Sequence, residues 1–116
     1  IMYTLPIFFK DNESEWEYAA EGITRKFIGY NPQLMLVIVK FEKGAIGALH
    51  DHFHTQGSYV ASGKFKITIN GESKILEAGD GFFVLPNTEH GAECLEPGVL
   101  IDVFNPIRED FLEDEK

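Results

Sequence analysis

The dominant hydrophobic period along this chain is two. Residues 34–41, Leu-Met-Leu-Val-Ile-Val-Lys-Phe, read as a buried strand closed by Lys43-Gly44. Phe65, Ile67 and Ile69 alternate with Lys64, Lys66 and Thr68, which predicts a strand with one face inward and one in water. Asn70-Gly71 follows at once. Both residues accept positive φ, so the pair predicts a tight hairpin with Ile75-Leu76 pairing back across it. Gly79-Asp80 turns the chain into a strand over 82–85, and Glu96-Pro97-Gly98 turns it into another over 99–104. Short strands separated by turn residues predict an antiparallel, all-β sandwich or barrel. No internal repeat, linker or low-complexity block interrupts the pattern. A chain of 116 residues can bury one core, so the expectation is a single domain over 1–116.

The last strand carries chemistry. In Val99-Leu100-Ile101-Asp102-Val103-Phe104 the odd residues form a wholly apolar face, suited to a second sheet or a partner subunit. The even face sets a carboxylate, Asp102, between Leu100 and Phe104. A carboxylate on a barrel's inner face is costly unless it is paired, wet or functional; the alternative is an exposed Asp on an edge strand. Asn105-Pro106 reads as a helix N-cap followed by proline at the first helical position, which would place Arg108 in the first turn of a short C-terminal helix. A surface ion pair of Arg108 with Glu109 or Asp110 is the alternative to a functional role, and such a pair would contribute little.

Composition removes several classes of function. Apolar residues make up 44% of the chain and aromatics 13%, too many for a disordered segment. No apolar run approaches the roughly 18 residues that a membrane span needs. The start lacks the pattern of a secretion signal, and Cys94 is the only cysteine, so the expected location is the reducing cytoplasm. Cys94 itself reads as a small buried apolar residue. The net charge of −9, with Arg25 and Arg108 the only arginines, argues against nucleic acid, which needs a clustered basic face. The acidic end, Glu109-Asp110 and Glu113-Asp114-Glu115, reads as a solvated tail.

The candidate site lies in His50-Asp51-His52-Phe53-His54, with Gln56 close behind and His90 far downstream. Alternate residues of an extended strand point to one side, so His50 and His52 can aim two imidazoles into one cavity. Neutral imidazole is the commonest nitrogen ligand of borderline divalent metals. His54 has the same parity and could compete as a ligand, but an orienting or surface role is the favoured reading. Gln56 near a barrel mouth could instead hydrogen-bond only backbone.

Gly44, five residues, His50-x-His52, three residues, Gln56, six residues and Gly63 resemble the first motif of the cupin superfamily, whose usual third ligand is Glu. Gly79 stands eleven residues before His90, the spacing of the second motif, but the proline is displaced by one position to Pro86. Asn87 takes the place of a glycine, and Cys94 stands where the family often has Asn. Asn is the residue that best tolerates the left-handed conformation after Gly. The resemblance implies a cupin fold, a double-stranded β-helix or jelly-roll barrel. Phe83-Val-Leu-Pro-Asn-Thr-Glu-His-Gly91, Leu100-Ile-Asp-Val-Phe-Asn-Pro-Ile-Arg-Glu-Asp-Phe-Leu112 and residues 22–36 narrow it further: they resemble the KdgF pectin-degradation proteins.

That resemblance implies a metal-dependent enzyme that opens and ketonises 4,5-unsaturated monouronates, small anionic sugar acids released by polysaccharide lyases. It implies His50, His52, Gln56 and His90 as ligands of one divalent metal per chain, with Asp102, Phe104 and Arg108 as active-site residues and no organic cofactor. Three imidazoles and an amide leave the cation its full charge, and nickel, iron, zinc, manganese and copper all accept such a site. The alternatives are a metal-dependent cupin dioxygenase, which would consume oxygen, and a non-catalytic sugar- or effector-binding cupin. A homodimer is expected from the apolar odd face of the last strand together with Trp16 and Tyr18 near the N-terminus.

Overall fold

Period-two patterning yields eight antiparallel strands in a computed structural model that describes residues 7–113. They are β1 (Glu17–Ala20), β2 (Ile23–Asn31), β3 (Leu34–Phe41), β4 (Ile46–His50), β5 (Thr55–Ile69), β6 (Glu72–Glu77), β7 (Gly81–Val84) and β8 (His90–Asn105). A short helix α1 follows (Glu109–Glu113). Parts of two expectations, the absence of a leader and the solvated acidic tail, concern residues outside this range. No helix among the described residues is long and apolar enough to cross a membrane.

The two long strands build the jelly roll by serving both of its layers. The first half of β5 pairs with β7 and with the second half of β8, which in turn pairs with β3. Beyond a bend, the second half of β5 pairs with β6 and with the first half of β8, which also pairs with β4. The expected hairpin is present: Asn70 and Gly71 take φ of 50° and 83°, and Ile75 and Leu76 pair with Lys66 and Phe65.

The expected turn at Glu96-Pro97-Gly98 is a correction. It is an irregularity inside one continuous β8, matched by register shifts between Val60 and Phe65 on β5. The two bent strands cross where Gly63 (φ 84°) meets Gly98; a Cβ on Gly63 would lie 2.5 Å from Gly98 Cα. Only a pair without side chains lets the backbones approach so closely, so the glycine that suggested a turn instead bends a strand from one layer into the other.

The end of β8 holds a second correction. Asn105 does not cap a helix: it pairs with Thr55 as the last residue of β8, and its side-chain amide donates to the Gln33 carbonyl. The Asn105-Pro106 bond is cis, and α1 begins only at Glu109, so Arg108 lies just ahead of the helix.

Inward-facing residues form two apolar clusters. Phe41, Val60, Phe65, Ile67, Cys94 and Leu100 fill one, with the rings of Phe41 and Phe65 edge to face at 5.2 Å. Met35, Val37, Phe104 and Ile107 form the other, covered by Phe27 and Phe111. Burying each large side chain contributes roughly 1.5–3 kcal/mol before entropy is counted. Cys94 is buried, as expected. Leu100, Asp102 and Phe104 face inward, and β8 is a central strand, which removes the edge-strand reading of Asp102. Val99, Ile101 and Val103 face outward beside the exposed rings of Tyr59 and Phe83.

Candidate metal centre

Cross-strand register assembles the histidines. His50, the last residue of β4, lies opposite His90, the first residue of β8, and their ring centroids are 4.4 Å apart. His52 stands beyond the end of β4, in the loop, so the expectation of a shared strand for His50 and His52 is corrected. It still converges, with its ring 4.7 Å from His90 and 5.5 Å from His50. The loop is tied down by the backbone N–H of Asn87, which donates to the His52 carbonyl at 2.7 Å. Asn87 itself has φ 61°, the left-handed conformation its identity suggested. The candidate ligand nitrogens of His50, His52 and His90 all lie within 4.8 Å of one another.

The hydrogen bonds assign the tautomers. Nδ1 of His50 faces the Ala48 carbonyl at 2.8 Å, Nδ1 of His52 that of His54 at 3.1 Å, and Nδ1 of His90 that of Thr88 at 2.9 Å. A carbonyl only accepts, so each Nδ1 carries the proton and each Nε2 presents a lone pair. Burial is the largest cause lowering the pKa of both His52 and His90, which keeps these rings neutral. Gln56 Oε1, also an acceptor, sits 3.0 Å from His52 Nε2 and 3.2 Å from His90 Nε2. Lone pairs that face one another without a donor repel unless a cation lies among them. Donors about 2.0–2.2 Å from a common metal stand about 3 Å apart, so these residues fit a divalent ion.

The acceptor cluster continues into the barrel through a residue the sequence reading missed. Gln56 Nε2 donates to Ser58 Oγ at 3.0 Å, and Ser58 Oγ donates to Asp102 Oδ1 at 2.6 Å. Ser58 lies directly across from Asp102 in the β5–β8 register, and Gln56 across from Phe104. Strand parity held the signal: Gln56 and Ser58 are two apart on one strand and therefore share a face. Burial pushes the Asp102 carboxyl up to about 6, against the opposing pull of the Ser58 hydrogen bond and the Arg108 charge.

Phe104 is buried beside His52, ring to ring at 5.9 Å. Arg108 stacks over Phe104 at 5.2 Å and Phe111 at 4.2 Å, and makes a two-point contact with Asp110 at 3.0 and 2.7 Å. The ion pair weighed as an alternative therefore exists, but Arg108 also lines the same cavity as His50, Gln56, His90 and Asp102, about 130 Å³ in volume. A larger depression of about 760 Å³ near Trp16 and Lys40 holds no comparable set of metal donors. His54 lies outside the ligand set, as the resemblance implied. It is buried outside the cluster, its Nε2 donating to the Ile107 carbonyl at 3.1 Å and its ring stacked on Phe53.

Relatives carry the same architecture. The Cupin domain model matches residues 37–104. The pectin degradation protein KdgF of Dickeya dadantii (strain 3937) is 49% identical over 107 residues, 90% of this chain and 97% of that protein. An RmlC-like cupin from Shewanella frigidimarina NCIMB 400 superposes with a TM-score of 0.92 at 44% identity, over 95% of this chain and 99% of that one. KdgF from a Halomonas species gives 0.88 at 41% identity, over 92% and 99%. With the jelly roll, the histidine cluster and these relatives in agreement, the chain belongs to the cupin family and, within it, to the KdgF proteins.

Proposed function

We propose that this protein is a metal-dependent enzyme of polyuronate breakdown that converts a 4,5-unsaturated monouronate from its ring form to the linear keto-aldehyde acid. One observation carries the reading: three imidazole lone pairs and the Gln56 carbonyl converge beside a buried carboxyl whose pKa is about 6. The identity to a pectin degradation protein supports the substrate class. A divalent ion held by His50, His52, Gln56 and His90 would supply Lewis acidity, stabilising negative charge on a substrate oxygen.

The remaining work falls to the chain's own side chains. Ionised Asp102 takes the proton of the anomeric hydroxyl. The ring C–O bond breaks, giving an aldehyde and an enolate, and protonation at carbon then gives the ketone, so the reaction is an isomerisation with no redox change. Phe104 packs against the sugar's apolar face. Arg108 has five N–H donors, and the contact with Asp110 occupies two of its nitrogens, so a substrate carboxylate can engage the guanidinium as well. The single buried, free Cys94 supports a reducing, cytoplasmic setting.

The test is anaerobic turnover of an unsaturated uronate, followed by loss of the conjugated alkene's ultraviolet absorbance and corrected for spontaneous ring opening. Metal-loaded protein is expected to exceed the spontaneous rate; loaded protein that leaves that rate unchanged sinks the proposal. Arg108→Ala is expected to raise KM mainly, with a smaller loss of kcat through misplacement, and Arg108→Lys to restore binding only in part, because an ammonium cannot reproduce the planar fork. An unchanged KM in Arg108→Ala would remove Arg108 from substrate binding.

A homodimer belongs to the same proposal. The outward residues of β8, Val99, Ile101 and Val103, continue through Leu36 and Ile38 on β3 and Tyr59 on β5 as an apolar stripe, with the charged Lys40 opposite Val99 at its edge. An apolar stripe of this kind can meet its own copy across a two-fold axis, which favours a second copy as its cover. Light scattering should give a dimer mass; a monomer across micromolar concentrations excludes it.

A further inference from the structure

We propose that Ser58 is a positioning residue that decides which end of the Gln56 side-chain amide faces the metal centre. The two ends of a carboxamide are nearly equal in shape, but only the oxygen is a metal ligand, and the NH₂ group repels a cation. Orientation therefore has to come from the neighbours. On one side stand the Nε2 lone pairs of His52 and His90, and these alone would attract the NH₂ end. On the other side stands Ser58 Oγ, 3.0 Å from Gln56 Nε2.

A serine hydroxyl has a single proton. Here it points to Asp102 Oδ1 at 2.6 Å, within the range of a short O–H···O⁻ bond, and an ionised carboxylate can only accept. Ser58 is left with lone pairs to offer Gln56, and lone pairs select the NH₂ end. Asp102 thus sets the hydroxyl, the hydroxyl sets the amide, and the amide oxygen is delivered to the ligand cluster. The β5–β8 register makes the chain of contacts possible, because Gln56 and Ser58 share a face and Ser58 lies opposite Asp102. The carboxylate assigned to proton transfer also holds a metal ligand the right way round, two contacts away.

This inference rests on the metal centre of the proposed function but not on its uronate substrate, so its test reads metal binding alone. Co(II) is titrated into metal-free protein against a competing chromophoric chelator, and the visible Co(II) spectrum is recorded. Ser58→Ala should weaken Co(II) binding about 10–100-fold, the usual loss when a partner orienting a ligand is removed, and should change the spectrum. Ser58→Thr keeps the hydroxyl and should restore most of the affinity. In a Gln56→Glu background the two side-chain oxygens are equivalent and no orientation is needed, so adding Ser58→Ala should cost no further affinity. A structural defect from losing Ser58 would persist in that background. Wild-type affinity and spectrum in Ser58→Ala, or an equal loss with and without Gln56→Glu, would overturn the inference while leaving the metal centre standing. Wild-type protein that binds no Co(II) would overturn the metal centre itself.

Discussion

Asp102→Asn is expected to slow turnover of the unsaturated uronate on the order of 10²–10⁴-fold, the range for losing a general acid–base group. Asparagine keeps the shape of the side chain and an oxygen that can accept the Ser58 proton, so the Gln56 amide and the metal content should be unchanged. Only the ability to take a proton disappears. The sign of the pH dependence follows from burial. The Asp102 carboxyl is raised to about 6, so the reactive carboxylate is scarce below that pH and predominates above it. Wild-type turnover should therefore rise through about pH 6 as pH increases, and this limb should vanish in Asp102→Asn. Stopped assays across pH 4.5–8 (roughly the window over which such a group titrates) provide the check. An Asp102→Asn variant with wild-type rate and profile would remove Asp102 from the proton transfer and leave the metal reading intact.

His90→Ala is expected to remove most of the metal. Protein prepared without chelator should contain about one divalent ion per chain, and the variant should lose affinity by on the order of 10² or more, exceeding the loss from an orienting partner. The reason is geometric. His50 and His52 come from one end of a β4 loop, whereas His90 comes from the start of β8 and closes the set from the opposite strand. Without it, the set loses its one imidazole from β8 and keeps His50, His52 and Gln56. His54→Ala is the matched control: its ring lies outside the cluster, against the Ile107 carbonyl, so metal content should hold. Elemental analysis of the dialysed proteins decides the matter, and metal content unaffected by both His90→Ala and His52→Ala would defeat the assignment.

Part of this protein was determined by local order alone. Alternation of apolar and polar residues sets a strand and its inward face, so the direction of Asp102 between Leu100 and Phe104 was readable from spacing. Asn70-Gly71 specified its hairpin because few residue pairs accept two successive positive φ values. The histidine spacing announced a ligand cluster, although His52 reaches it from the loop after β4 and not by strand parity. Other features depended on which segments met. Pro97-Gly98 carries the local signature of a turn, yet β8 runs through it, because Gly63 on another strand arrives there and makes a bend the tighter solution. Asn105-Pro106 carries the signature of a helix start, yet Asn105 remains in the sheet, held by Thr55 and the Gln33 carbonyl. His54 shares the parity of His50 and His52, but the chain leaves β4 at His50, and the Ile107 carbonyl draws the ring away. Ser58 was silent because a serine on a strand means nothing until its cross-strand neighbour is known; opposite Asp102 it joins a carboxylate to the Gln56 amide. Sequence determined which face each residue presents, since that follows from the geometry of one strand. Only the tertiary structure decided which residue each face meets, since pairing between distant strands is set by the packing of the whole.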